Sequence, residues 1–137
     1  MPISETYRTL RAIALSEFAD IVVNAQIMTL PTGDPVKLRL EIVEGSFLDI
    51  FISVTGRYSY HWERRLTPAN DCYRHDNAPH HRWRHIATFP KHFHDGREDN
   101  VVESHISDNA EEAIREFLTF IRHKLWSKLP DQERGKA

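Results

Sequence analysis

Residues 37–62 have the sequence KLRLEIVEGSFLDIFISVTGRYSYHW. Apolar and polar side chains alternate along three runs of this stretch, at 37–43, 47–54 and 58–62, and the intervening segments contain Gly45 and Gly56. Alternation with a period of two is typical of a β-strand with one buried face. Short glycine-containing turns commonly join antiparallel neighbours. The stretch therefore predicts a three-stranded antiparallel meander.

Segments on both sides extend this sheet. Residues 21–30 are rich in β-formers and predict a strand, because the proline- and glycine-containing segment 31–35 is a strong turn signal. Downstream, short strands are predicted at about 72–75 and 84–88. Upstream, a short helix is predicted from about Glu5 to Leu15, where apolar residues recur at helical spacing on one face.

A second helix is predicted from about Asn109 to Trp126. Ser107 or Asp108 is placed to cap it, and Glu111 completes a capping-box pattern with Asp108. The apolar stripe of this helix has five members: Ile114, Phe117, Leu118, Ile121 and Leu125. We expect the stripe to pack on the sheet face that carries Leu40 and Ile52.

Together these elements predict the α+β class: a curled antiparallel β-sheet with a short N-terminal helix and a C-terminal helix packed on one face. The chain has 137 residues and a formal charge of −2, which fits one globular domain at 1–128 followed by a polar tail at 129–137. Its single cysteine, Cys72, excludes an internal disulfide. No signal peptide or membrane-spanning run is evident, so we expect a soluble, cytoplasmic protein.

Histidines are concentrated in one region. Six of the nine lie between positions 75 and 94, and five of these six are in the segments RHDNAPHH (74–81) and FPKHFHDG (89–96). Histidine exchanges protons near neutral pH and binds transition metals, and a fold requires neither property. Because proline turns present both segments, we expect a single site at one edge of the sheet. There, His80 or His81 should lie within hydrogen-bonding or one-water reach of His92 or His94.

Three interpretations of these segments remain open. In an extended backbone His92 and His94 would point the same way, as two ligands of one metal ion do, with a third ligand from the first segment. The same spacing suits two acid–base groups that face one scissile bond. Alternatively, Asp76 and Asn77 only stabilise a turn, and the histidines are solvated.

Basic residues surround the histidines and predict a local positive patch. They are Arg57, Arg64, Arg65, Arg74, Arg82, Arg84, Lys91 and Arg97. Arginine and histidine around a phosphodiester can cleave RNA without a metal. One histidine accepts the proton of the 2′-hydroxyl, another protonates the leaving 5′-oxygen, and a cation stabilises the phosphorane. The products would carry 2′,3′-cyclic phosphates.

The two histidine segments, the second read from Thr88 as TFPKHFH, resemble the R-x-D-N-A-P-H-H … F-P-x-H-x-H signature of TumE-like toxins. These belong to bacterial and archaeal type II toxin–antitoxin modules. The resemblance runs from about Ile21 to the last helix. It implies a toxin, thought to be a ribonuclease, that a DNA-binding antitoxin neutralises. The motif positions are Arg74, Asp76, Asn77, His80, His81, Pro90, His92 and His94. Between Arg and Asp the family usually has an aromatic residue, and this chain has His75.

The leading hypothesis is therefore a toxin that acts as a metal-independent ribonuclease, with no cofactor. Its predicted catalytic residues are Arg74, Asp76, His80, His81, His92 and His94. Its predicted substrate-binding residues are Asn77, Arg82, Arg84 and Lys91. The expected partners are RNA and the cognate antitoxin, with no membrane, and a homodimer is compatible with the sequence. The alternatives are a His-cluster module that binds Zn²⁺ or Ni²⁺, and a non-enzymatic regulator that binds proteins.

Overall fold

A computed structural model describes residues 2–127. The predicted tail at 129–137, and residues 1 and 128 of the predicted domain, lie outside the described residues, so this division of the chain stays a prediction. The elements are helix α1 (Ile3–Glu17), strands β1 (Val22–Thr29), β2 (Pro35–Ile42), β3 (Phe47–Ile52), β4 (Tyr58–Glu63), β5 (Cys72–Asp76), β6 (His92–Gly96) and β7 (Val101–Glu103), and helix α2 (Ala110–Trp126).

The strands form one open sheet in which each pairs antiparallel with its sequence neighbour, in the order β1 to β7. This confirms the predicted α+β class with helices at both ends of the chain. Directly opposed residues share a face of the sheet. One face, which we call the helix face, carries a row of buried side chains from β2 to β5: Leu40, Leu48, Trp62 and Tyr73. The other, which we call the open face, carries a polar row: Arg39, Asp49, His61, Arg74 and His94.

Both helices pack on the helix face. The buried residues of α1 include Tyr7, Leu10 and Ala14, and those of α2 include Ile114, Phe117, Leu118 and Ile121. They share one hydrophobic core with Leu40, and Ile52 packs against this core, as the apolar stripe predicts. Ion pairs from Arg115 to Glu17 and from Arg122 to Asp20 join the exposed sides of the helices.

The predicted strand at 84–88 is wrong. A 3-10 turn at His81–Trp83 leads into further turns, because backbone amides there bond to carbonyls only three residues earlier. The amide of Ile86, for example, donates to the carbonyl of Trp83, and that of Phe89 donates to the carbonyl of Ile86. The apolar run at 86–87 is too short to outweigh this local bonding, and the next two strands are instead β6 and β7.

The predicted cap of α2 is wrong by one or two positions. Asn109 is the N-cap, and its side chain accepts a hydrogen bond from the amide of Glu112 at 3.0 Å. The bond joins residues three positions apart, which is the spacing predicted for Asp108 and Glu111. Within residues 2–127, no helix combines the length and the apolarity needed to cross a membrane.

Candidate functional site

The two histidine segments meet on the open face. Strand β5 pairs with β6 so that Arg74 lies opposite His94, and Asp76 lies opposite His92. Opposed residues on antiparallel strands project to the same side. The strand β6 thus supplies the extended backbone in which His92 and His94 point the same way.

The segment 77–91 covers this part of the open face. The ring of Trp83 lies 6.1 Å from that of His92 and 5.9 Å from that of His94, between centroids. As a result, His92 is 0% exposed and His94 only 3% exposed. Trp83 is a site residue that the sequence reasoning missed, because its position in the chain carries no motif.

Backbone carbonyls set the orientation of both buried imidazoles. His92 Nδ1 lies 2.9 Å from the carbonyl oxygen of Pro90, and His94 Nδ1 lies 2.8 Å from that of Glu98. A carbonyl only accepts, so each Nδ1 carries the proton and donates it. In the neutral rings both Nε2 atoms therefore hold a lone pair that can accept a hydrogen bond. Nε2 of His94 accepts a hydrogen bond from Arg74 Nη2 at 3.1 Å, whereas Nε2 of His92 is buried and makes no hydrogen bond.

Arg74 is at the centre of the charged groups. Its Nη2 lies 3.1 Å from a carboxylate oxygen of Glu98, and its Nε lies 3.4 Å from Asp76 Oδ2. Glu98 is a second site residue that the sequence reasoning missed. It follows His94 by four positions, in the turn between β6 and β7, and belongs to no recognised pattern.

Beside these groups a cleft of about 360 Å³ opens to solvent. Its lining residues are Arg74, His80, Arg82, Trp83, His94, Glu98 and Asp99. One histidine from each segment, His80 and His94, therefore faces the same cavity. Among residues 2–127, no hydrogen bond joins His80 or His81 to His92 or His94. The formal charges of the two arginines and the two acids in the lining cancel.

Several predicted site residues make other contacts. The Asn77 side chain accepts a hydrogen bond from the Tyr58 amide and donates one to the Gly56 carbonyl, both at 2.9 Å, so it ties β5 to the turn before β4. Lys91 donates to the carbonyl of Ile106 and lies 3.3 Å from Asp108, near the start of α2. Neither residue lines the cleft.

The remaining predicted residues lie on the segment that covers the open face. Arg82 stacks on the ring of Trp83, with its guanidinium carbon 4.6 Å from the ring centroid. Arg84 donates to the carbonyl of His81 at 3.0 Å and lies 3.2 Å from its Nδ1. Both His80 and His81 are solvent-exposed.

The predicted positive patch is narrower in the structure than in the sequence. Arg64 is buried and pairs with Glu44 and Asp71. Arg65 pairs with Glu63. Carboxylates thus neutralise Arg64 and Arg65, and Glu98 likewise neutralises Arg74.

Burial lowers the pKa of one histidine from each of the two segments. The pKa of His94 lies below its usual value chiefly because burial disfavours the charged ring, and the Arg74 cation acts in the same direction. His75 lies on the helix face, where its ring stacks on Phe93 at 4.1 Å between centroids. Burial, with a contribution from Lys91, lowers the pKa of His75 to about 3. The neutral His75 ring therefore packs as an aromatic side chain. An aromatic residue is also usual at this position of the signature.

Fold and site together define an α+β protein with an open antiparallel sheet, whose histidine- and arginine-lined cleft lies on the face away from the helices. A family model described as Toxin TumE matches residues 10–125, and the chain belongs to this toxin family. No curated protein and no solved structure matches the chain.

Proposed function

We propose that this chain is the toxin of a toxin–antitoxin pair and that it cleaves RNA in the cleft. The observation that carries the proposal is the meeting of Arg74, His80 and His94 in one cavity. Two imidazoles and a guanidinium are the groups needed for metal-free transesterification of a phosphodiester.

In this scheme His94 is the base, because its lowered pKa keeps the ring neutral and its Nε2 lone pair becomes available when Arg74 turns from it to the phosphate. It accepts the proton of the 2′-hydroxyl, whose oxygen attacks the adjacent phosphorus. The exposed His80 protonates the 5′-oxygen as its bond to phosphorus breaks. The products are a 2′,3′-cyclic phosphate and a 5′-hydroxyl, and DNA is not a substrate.

Arg74 stabilises the phosphorane in this proposal. Its contact with Glu98 has to be exchanged for a contact with phosphate oxygens, because one guanidinium edge cannot serve both. On the buried side of the site, Asp76 positions Arg74 through their ion pair. His92 lies beside Asp76. We assign Arg82, Arg84 and His81, on the covering segment, to contacts with the RNA strand.

The family membership also implies a partner. A toxin of this kind is neutralised by a cognate antitoxin, and an RNA-cleaving toxin acts in the cytoplasm on cellular RNA. We propose no cofactor for the cleavage. The proposal is compatible with a monomer or a homodimer, since one chain supplies the whole cleft.

The test is cleavage of a single-stranded RNA by purified protein in EDTA, with detection of cyclic-phosphate ends. We expect His80→Ala and His94→Gln each to lower the cleavage rate by about 10²–10⁴-fold, the usual contribution of a general acid or base. The matched control is His105→Ala, which removes an exposed histidine paired with Glu103 outside the cleft. A substrate with a single 2′-deoxy sugar at the cleavage site should resist cleavage.

Two results would contradict the proposal. Equal rates for the wild type, His80→Ala and His94→Gln would exclude a catalytic role for the cleft histidines. Cleavage of the 2′-deoxy substrate would exclude attack by the 2′-hydroxyl. Thermal unfolding of each variant establishes that the comparison is made between folded proteins.

A further inference from the structure

Three side chains under Trp83 have the composition and spacing of a metal ligand set. Ligand atoms of Asp76, His92 and His94 all lie within 4.8 Å of one another, and Asp76 Oδ1 is 3.8 Å from His92 Nε2. In a tetrahedral zinc site with bonds of about 2.0–2.1 Å, neighbouring ligand atoms are roughly 3.4 Å apart. Closing the set around an ion therefore requires only small side-chain movements.

The surrounding backbone already orients the imidazoles as metal ligands. Each ring donates its Nδ1 proton to a main-chain carbonyl, that of Pro90 or that of Glu98. Such outer hydrogen bonds are usual for metal-bound histidines, because they fix the ring and strengthen the other nitrogen as a donor to the metal. Because both Nδ1 atoms are engaged, the Nε2 atoms are the ring atoms that can bind an ion.

His92 provides an independent observation. Its ring is completely buried, yet its Nε2 atom has no hydrogen-bond partner. A buried polar atom without a partner is unfavourable and calls for an explanation. A metal ion bound to Nε2 would satisfy this atom without any rearrangement of the backbone.

In the metal-free site the guanidinium of Arg74 supplies the positive charge that a metal ion would otherwise supply. Its guanidinium contacts His94 Nε2 at 3.1 Å and lies 3.4 Å from Asp76, two of the three ligands. A metal ion would displace it. The carboxylate of Glu98, already 3.1 Å from Nη2, can hold the released guanidinium in the cleft.

We infer that Asp76, His92 and His94 bind one divalent transition-metal ion of the Zn²⁺ class, in exchange for Arg74. Two imidazoles and one carboxylate suit Zn²⁺, whereas Mg²⁺ and Ca²⁺ prefer ligand sets made of oxygen alone. Three protein ligands leave the fourth position of a tetrahedral site to water.

The inference goes beyond the proposed function and does not depend on RNA cleavage. It does limit that function, because a metal-bound His94 Nε2 has no lone pair with which to accept a proton. The metal-bound and the acid–base states of the site exclude each other. Zn²⁺ therefore inhibits the cleavage proposed above.

The experiment is a calorimetric titration of EDTA-stripped protein with Zn²⁺, together with thermal unfolding with and without the ion. We expect one Zn²⁺ per chain and a higher Tm in its presence. His92→Ala should abolish binding, and Asp76→Asn should weaken it by at least about 10-fold. Asp76→Asn keeps an oxygen that can accept the hydrogen bond from the Ala78 amide, so this variant is expected to fold.

Arg74→Ala shows whether changes in Zn²⁺ binding arise from the site itself and not from misfolding. With the competing guanidinium gone, this variant should bind Zn²⁺ more tightly than the wild type, an increase that misfolding cannot produce. His105→Ala is the control for surface histidines and should bind as the wild type does. The inference is overturned by absence of binding to the wild type, by His92→Ala binding as tightly as the wild type, or by Arg74→Ala binding more weakly.

Cleavage assays on the same samples distinguish this inference from the proposed function. Cleavage in EDTA that Zn²⁺ suppresses supports both. Zn²⁺ binding at these ligands with cleavage only in the presence of the ion supports the metal site and contradicts the metal-free mechanism. Cleavage in EDTA with no Zn²⁺ binding overturns the metal site and leaves the mechanism standing.

Discussion

Arg74 has more polar contacts than its guanidinium can keep in the RNA complex that we propose. In the structure it contacts His94, Glu98 and Asp76, and the first two of these border the cleft. Planar guanidinium groups recognise carboxylate and phosphate oxygens in the same way. At the scale of single residues, Glu98 therefore competes with the phosphate that we place in the cleft.

The first prediction is that Glu98→Gln strengthens RNA binding. The substitution removes a negative charge next to Arg74 and leaves the backbone unchanged. An additional bond from Arg74 to a phosphate should lower the Kd severalfold and make log Kd depend more steeply on log salt concentration. The measurement is fluorescence anisotropy of a short RNA bound to protein that also carries His94→Gln, which is expected to prevent cleavage of the RNA. Arg74→Lys in the same background should weaken binding, because lysine lacks the planar fork.

The second prediction concerns His75 and pH. The pKa of the folded ring is about 3, whereas its ordinary value is 6.5, so between these values the unfolded chain binds more protons than the folded protein. The free energy of unfolding should therefore fall as the pH drops from about 6.5 towards 3, by up to ~1.4 kcal/mol per pH unit from this group. His61 and His94, whose pKa values are also lowered by burial, act in the same direction.

His75→Phe isolates this contribution. Phenylalanine keeps the stacking on Phe93 and loses the hydrogen bond to Ser104. We expect the variant to have a shallower dependence of stability on pH, measured by urea unfolding in EDTA between pH 7.5 and 4.5. A slope equal to that of the wild type would show that His75 is not the titrating group.

The site residues were predictable from sequence only where they form a contiguous motif. The two histidine segments indicated Arg74, Asp76, His92 and His94, which the pairing of β5 with β6 brings together. Trp83 and Glu98 were not predictable, because their roles arise from the fold of the covering segment and of the turn after β6. Asn77 and Lys91 bond to the scaffold, a role that a motif cannot distinguish from substrate binding.

At the scale of elements, sequence patterns predicted the long strands, the short strand β5 and both helices, and they failed at 84–88 and at β7. Alternation over six or more residues identified β2 and β3, and the stripe on α2 identified its buried face. The segment 84–88 shows the limit. Its few apolar residues fit a strand, but local three-residue hydrogen bonds form instead. Strand β7, of three residues, is too short for any period to be read.

The third prediction is that Phe117→Ala severely destabilises the protein. Phe117 is 1% exposed in the core between α2 and the sheet, and its ring lies edge-on to His75. Truncation of a buried phenylalanine typically costs about 3–5 kcal/mol, against a total stability of about 5–15 kcal/mol for a domain. The measurement is chemical denaturation. Thr119→Ala, an exposed position of the same helix, is the control, and a similar small change for both variants would show that α2 contributes little to the core.

At the scale of the whole molecule, the hydrophobic core and the cleft lie on opposite faces of the sheet. The helix face holds the hydrophobic core, and the open face holds the cleft. Substitutions in the cleft can therefore remove function while the core stays intact. This separation is what allows toxicity to be tested independently of folding.

The fourth prediction is that expression of the wild type without its antitoxin arrests bacterial growth, and that His94→Gln and Asp76→Asn relieve the arrest. Both substitutions lie on the open face, so the variants should accumulate to wild-type levels. The measurements are colony counts after induction and the amount of soluble protein in the same cells. Arrest by variants that have lost RNA cleavage in vitro would assign the toxicity to another activity.

The neighbour-by-neighbour order of the seven strands also has a consequence for how the chain folds. Every strand pairing is local, so the sheet can assemble by adding one hairpin at a time, which favours rapid folding. The contacts between the two helices are not local. Arg115 of α2 pairs with Glu17, 98 positions earlier in the chain. During synthesis the sheet and α1 can therefore form while the part of the apolar face that α2 covers is still exposed, and the core is complete only when the last helix has left the ribosome.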